Sequence, residues 1–186
     1  MVDEDVRLML ALRDGDGRAF DALFERWAAR VLRFVERMVG ERGVAEELVQ
    51  ETFVRVWRAR ERYAPEARFS TWLFTIAGNA ARNELRRPFR HAAHESVDDD
   101  GAPLDLASED PPSDELVDAR RTGQDLESAL AGLPERQREA LWLRAVEGLS
   151  YAEVAEALAT SEKSVKALIH RARVGLARLA GCGGIR

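Results

Sequence analysis

Apolar residues recur every three or four positions through most of this chain, which is the rhythm of amphipathic helices. Phe20, Leu23, Phe24, Trp27, Val31, Phe34, Val35 and Met38 form one inward stripe, and Gly40 and Gly43 break it. The rhythm resumes with Ala45, Leu48, Val49, Thr52, Phe53 and Val56, running to about Ala59 and leaving Glu46, Glu47, Gln50, Glu51 and Arg55 outward. After a loop around residues 63–68, which contains Pro65, Ser70 or Thr71 is placed to cap a third helix. Its Trp72, Leu73, Ile76, Ala77 and Ala80 point inward, and it ends near Arg87 because Pro88 follows. The spacing predicts a bundle of three main helices with a short one ahead of it.

The second half has the same period in shorter pieces. A helix is expected from about Leu116 through Leu130, and another from Pro134, a first-turn residue, to about Glu147, where Gly148 stops it. Ser150 and Glu153 have the spacing of a capping box, opening a short helix with Val154, Ala155 and Leu158. Ser161 can cap one more. Two helices joined by a tight turn after a longer one have the layout of a helix-turn-helix. No sustained alternation of period two marks a strand, so the fold class expected is all-α: two small helical domains, a three- or four-helix domain and a C-terminal helix-turn-helix domain.

Charge changes the picture in the middle. The formal net charge of -5 argues against nucleic acid as a partner. Yet ten acidic residues and no Lys or Arg lie between Glu95 and Asp118, and the rest of the chain carries about +5. With Gly101, Pro103, Pro111 and Pro112 in it, this stretch reads as an acidic flexible linker. The divisions expected are 1–92, a linker over 93–117, 118–180 and a tail over 181–186. No apolar run approaches the length of a membrane span and the N-terminal residues lack a signal-peptide layout, so no membrane insertion and a cytoplasmic location are expected. The single cysteine, Cys182, excludes an intramolecular disulfide and a cysteine zinc cluster.

Three constellations carry candidate chemistry. On the last helix, Val165, Leu168, Ile169, Ala172, Leu176 and Leu179 fall on one side, and Lys163, Lys166, Ala167, His170 and Arg171 on or beside the other. A basic face after a tight turn suits the DNA major groove, with residues 161–167 nearest the base edges; the same pattern also fits an ordinary surface helix. The second is the outward face of Glu46, Glu47, Gln50 and Glu51, able to dock a basic partner helix or simply to be solvated surface. In the third, Phe69, Ser70, Thr71, Trp72, Asn79, Arg82, Asn83, Arg86 and Arg87 combine aromatic, hydroxyl, amide and cationic groups that can hold a single DNA strand, although Phe69 and Trp72 also fit a core. His91, His94 and Glu95 lack a third fixed ligand, and no phosphate loop, nucleophile elbow or paired-His motif is present, so neither metal nor other cofactor nor catalysis is expected.

In order along the chain, Asp16-Gly17-Arg18-Ala19-Phe20, Ala45-Glu46-Glu47-Leu48-Val49-Gln50-Glu51-Thr52-Phe53-Val54-Arg55-Val56-Trp57 and Phe69-Ser70-Thr71-Trp72-Leu73-Phe74-Thr75-Ile76-Ala77 resemble region 2 of extracytoplasmic-function (ECF) sigma factors. Leu133-Pro134 with Arg138, Glu147-Gly148-Leu149-Ser150-Tyr151-Ala152-Glu153-Val154-Ala155, Ser164-Val165-Lys166 and His170-Arg171-Ala172-Arg173 resemble their region 4. The resemblance implies a factor that binds core RNA polymerase, at the beta-prime clamp helices and the beta flap, and directs it to promoter DNA. Glu46, Glu47, Leu48, Gln50, Glu51 and Val54 match the clamp-docking segment. Tyr63, Phe69, Ser70, Thr71, Trp72, Asn79, Arg82, Asn83 and Arg86 match the part that opens the minus-10 element. Ser161, Glu162, Lys163, Ser164, Lys166, Ala167, His170 and Arg171 match the minus-35 reader. The linker resembles the segment that threads toward the polymerase channels, and an anti-sigma factor is the regulator such proteins commonly have.

The chain departs from the family at Gly78, where Arg is usual, at Asn83, where Asp is common, at Lys163, a common Gly, and at Leu168, a common Arg. A glycine inside a helix costs up to about 1 kcal/mol relative to Ala, and the sequence offers no reason for Gly78. The alternative of another class is a dimeric helix-turn-helix regulator that never joins polymerase, which would not need the docking face or the aromatic loop. A DNA-modifying enzyme would need an acid-base or metal cluster that the sequence lacks.

Overall fold

The computed structural model describes residues 3–92 and 130–182. The expected linker, most of the helix expected through Leu130, and the end of the tail lie outside them. Helices α1 (Glu4–Arg13), α2 (Gly17–Val39), α3 (Arg42–Ala59) and α4 (Phe69–Ala92) make the first unit, with a single 3-10 turn, Arg60–Arg62, after α3. Helices α5 (Glu135–Ala145), α6 (Tyr151–Ala157) and α7 (Glu162–Cys182) make the second. Every regular element among the described residues is helical.

Local chemistry sets the ends. The carboxylate of Asp16 accepts from the Arg18 N–H at 3.0 Å and starts α2. Gly40, at φ +77°, closes the helix in the left-handed region, its N–H donating to the Glu36 carbonyl at 2.8 Å. Ser150 and Glu153 form the full capping box of α6: the Glu153 N–H donates to Ser150 Oγ and the Ser150 N–H to Glu153 Oε2. The turn into α7 passes through Ala159 at φ +49°, a conformation that strains a residue with a Cβ. Ser161 then accepts from the Ser164 N–H.

Three boundaries differ from expectation. Helix α4 starts at Phe69, so Ser70 and Thr71 lie inside its first turn and are buried rather than capping it. It also runs through Pro88 to Ala92, because a proline so near a helix end removes one hydrogen bond without a following body of helix to misalign. Pro134 sits at the N-cap of α5, one position before the expected first turn.

The interior is a nest of edge-to-face aromatic rings. Phe34, Phe69 and Phe74 are fully buried, with Trp27 against Phe69 and Phe74 at 5.7 and 6.0 Å between centroids. In the second unit Leu143, Leu149, Val154, Val165, Ile169 and Ala172 fill the space between its three helices. Gly175 lets α7 approach Leu133, which stands just ahead of α5 and whose Cδ2 would lie 2.8 Å from a Cβ at position 175. The two cores are continuous, with α6 lying along α4 and α5 against α2.

Candidate nucleic-acid interface

Helix α3 presents one stripe at helical spacing. Glu47, Gln50, Glu51, Val54 and Trp57 are all exposed on it. Glu51 is paired with Arg55 at 2.6 Å and Glu46 with Arg42 at 3.0 Å, whereas Glu47 and Gln50 make no ion pair or side-chain hydrogen bond among the described residues. Leu48 is 5 % exposed and belongs to the core, so its side chain offers no docking surface; its carbonyl accepts from Thr52 Oγ1 at 2.7 Å. Phe24, expected inward, is instead 40 % exposed. It packs on Phe53 at 4.8 Å, beside Phe20 and Trp57 at 5.3 Å from each other, and extends the acidic stripe into an apolar one. Trp57 could have been found from its place three residues after Val54; Phe24 could not, since it shares the period of the buried stripe.

The aromatic segment divides differently from its expectation. Phe69 and Thr71 have no exposed surface, and Tyr63 and Ser70 very little, so in this arrangement no strand can stack on them. The reason is packing: Phe69 fills the space between Trp27, Tyr63 and Trp72. Burial, with Asp3 and Asp5 nearby, raises the Tyr63 pKa, and the phenol stays neutral. Trp72 keeps an open edge. With Ala59, Arg62, Tyr63, Ala64, Glu66 and Ala67 it lines a cavity of about 410 Å³, which Glu156 of α6 also borders.

Farther along α4, Asn79, Asn83, Arg86 and Arg87 are exposed. Arg82 is not. One guanidinium nitrogen binds the Asn79 side-chain oxygen at 2.6 Å, and another is paired with the carboxylate of Glu139 on α5, a residue 1 % exposed. Burial raises the Glu139 pKa, and the charge of Arg82 and its hydrogen bond oppose that rise. Gly78 faces this carboxylate: a Cβ there would overlap Glu139 Oε1 and stand 3.2 Å from Arg82 Nη1. The glycine that the sequence leaves without a reason is the notch that admits Glu139.

Helix α7 shows the expected split. Val165, Ile169 and Ala172 are buried, Leu168 and Leu176 partly so, while Ser161, Glu162, Lys163, Lys166, His170 and Arg171 are exposed and Ser164 and Ala167 half-buried. The Lys166 ammonium lies 5.7 Å from the centre of the Tyr151 ring, which steadies it above α6. No group of metal-ligating side chains occurs among the described residues, and none of their helices is long and apolar enough to cross a membrane.

A helical unit with an exposed acidic and aromatic stripe on α3, followed by a helix-turn-helix with an open basic face, is the layout of a two-module transcription factor. Two family models match it in order: Sigma-70 region 2 over residues 23–90 and Sigma-70, region 4 over residues 123–176. The chain is 40 % identical over 173 residues to the RNA polymerase sigma factor CarQ of Myxococcus xanthus, covering 93 % of this chain and 95 % of CarQ. It is 36 % identical over 191 aligned positions to the ECF RNA polymerase sigma factor SigK of a Mycobacterium species, covering 98 % and 92 %. Among solved structures, the sigma factor RpoE in complex with the anti-sigma factor NepR from Bartonella quintana superposes with a TM-score of 0.66 at 26 % identity, covering 87 % of this chain and 96 % of that one. The chain belongs to the sigma-70 family, in its ECF group. Both modules in this order leave no place for the dimeric-regulator alternative.

Proposed function

We propose that this sigma factor docks on the clamp helices of core RNA polymerase through the α3 stripe of Glu46, Glu47, Gln50, Glu51 and Val54, extended by Phe24 and Trp57. The observation that carries this reading is the stripe itself: exposed acid and amide groups, with Glu47 and Gln50 unpaired among the described residues, run into exposed aromatic surface. Charge steers such a contact and desolvated aromatic rings hold it. The exposed face of α7, with Lys163, Lys166, His170 and Arg171, reads the minus-35 duplex, and the second domain meets the beta flap. Asn79, Arg82, Asn83 and Arg86 on α4 hold the phosphates of the opened minus-10 strand, and the cavity beside Trp72 receives an unstacked base.

RNA synthesis stays with the polymerase; this chain supplies address and strand opening, needs no cofactor and is not itself an enzyme. It works in the cytoplasm, where the polymerase is, with domain limits of 1–92 and 118–180 and the acidic linker over 93–117 between them. An anti-sigma factor controls it, as the solved complex of a similar factor with NepR supports. The test is Glu47→Lys with Gln50→Ala: binding to core polymerase, measured by co-elution and titration, falls at least about tenfold, which corresponds to 1.4 kcal/mol, while the helical signal is unchanged. Unchanged affinity removes the docking assignment.

A further inference from the structure

Three ion pairs between the two modules run the same way. Arg82 of α4 is paired with Glu139, Arg30 of α2 with Glu147 at 2.7 Å, and Arg68 before α4 with Glu153 at 3.6 Å. In each the cation belongs to the first module and the carboxylate to the second. Glu147 is enclosed as Glu139 is, its other oxygen accepting from the Trp142 indole at 3.2 Å. Glu156 borders the cavity beside Trp72. One carboxylate of the second module therefore stands against the central arginine of α4, and another at the edge of the recess next to it.

We propose that the second module is an internal inhibitor of the first: Glu139, seated in the Gly78 notch, occupies Arg82 in place of a nucleic-acid phosphate and holds the chain in a closed form. The proposal rests on the reading that α4 contacts the opened strand. A carboxylate and a phosphate oxygen make the same charge-assisted bond to a guanidinium, so Arg82 serves one or the other. The site is fitted rather than incidental: a Cβ at position 78 would overlap the Glu139 carboxylate, which is enclosed and tied to Arg82 and so has little room to move aside. It is also built to release. Glu139 Oε2 is buried with no hydrogen-bond partner among the described residues, and opening returns that atom to water. A buried ion pair adds little net stability against its desolvation, and its best-attested use is in fixing one arrangement of a two-state element. Meanwhile the exposed face of α7 is left uncovered, so the closed form hides the strand-holding surface and not the duplex-reading one.

The experiment uses the full chain in a Cys182→Ser background, spin-labelled at Asp21→Cys and Arg173→Cys, both exposed positions. Double electron–electron resonance gives the distance between modules, and fluorescence anisotropy gives the affinity for short single-stranded DNA of mixed sequence. The parent chain shows one narrow distance. Gly78→Ala, which changes no charge and favours helix, broadens and lengthens it; if nine-tenths of the parent molecules are closed, strand affinity rises about tenfold on opening. Helical circular dichroism separates opening from unfolding. In a Glu139→Ala background the Gly78→Ala change adds little, since the group it collides with is gone. A parent chain already broad in distance, or a Gly78→Ala chain as narrow as the parent, overturns the latch and leaves the α4 reading intact. Opening without a gain in strand affinity overturns the inhibition by removing α4 from the DNA.

Discussion

Helices α4 and α7, the two proposed DNA-binding helices, both carry cationic side chains and stand in opposite conditions. On α7 the basic face is open, with the apolar face packed on α5 and α6. On α4 the central arginine is capped by a carboxylate from the other module, and the aromatic residues at its start are absorbed into the core. The difference teaches that residue type and helical spacing identify a face able to bind DNA, whereas its availability depends on what the rest of the chain lays against it. Availability is also the quantity a cell can regulate.

The largest test of the contrast is Arg82→Ala. It leaves Glu139 buried and unpaired, which costs the closed form about 3–5 kcal/mol. The modules should separate, but strand affinity should not rise as it does in Gly78→Ala, because the cation that holds the phosphate has gone too. A rise equal to that of Gly78→Ala would show that Arg82 plays no part in DNA binding. Ile169→Ala comes next, removing a buried side chain from the inner face of α7 at a cost of about 2–5 kcal/mol. Thermal unfolding should show the second module melting earlier, with the first little changed; a single unshifted transition would mean that α7 is not held by that face.

A smaller effect is expected on the open side. Lys166→Ala should weaken promoter duplex binding and reduce the slope of log K against log salt by about 0.9, one phosphate contact. An unchanged slope places Lys166 away from DNA. The smallest effect concerns pH. Burial alone would raise the Glu153 pKa, but hydrogen bonds from the Ser150 backbone and side chain and the charge of Arg68 outweigh it and hold the pKa below the usual carboxylate range. Its stabilisation of the α6 cap and of the contact with Arg68 is therefore present above the ordinary carboxylate pKa and is lost as pH falls through the lowered value. Glu153→Gln should flatten the acid limb of a stability profile; an identical limb would remove Glu153 from that cap.

Much of this was legible in the sequence. The helical class, the stops at Gly40 and Gly148, the Ser150–Glu153 box and the two faces of α7 follow from spacing and capping chemistry, which act within a few residues. The exposed positions of the α3 stripe and the burial of Leu48 were legible for the same reason, whereas the exposure of Phe24, near the edge of the buried arc, is settled by which neighbours α2 and α3 offer. Phe69, Ser70 and Thr71 have the chemistry of a strand-binding loop, but tertiary packing takes them inside. Gly78 lay beyond reach altogether: its partner Glu139 is distant in the chain, and a charged residue at 139 looks from the sequence like one more solvated position on α5.

The most direct measurement of the central claim is transcription in vitro, with the purified chain added to bacterial core RNA polymerase free of any sigma factor and a pool of promoter fragments from its own genome. Start sites should appear only when both proteins are present, and should be lost with Glu47→Lys and Gln50→Ala together. No transcript, with no co-elution of the chain and core polymerase after any bound inhibitor is stripped away, would contradict it.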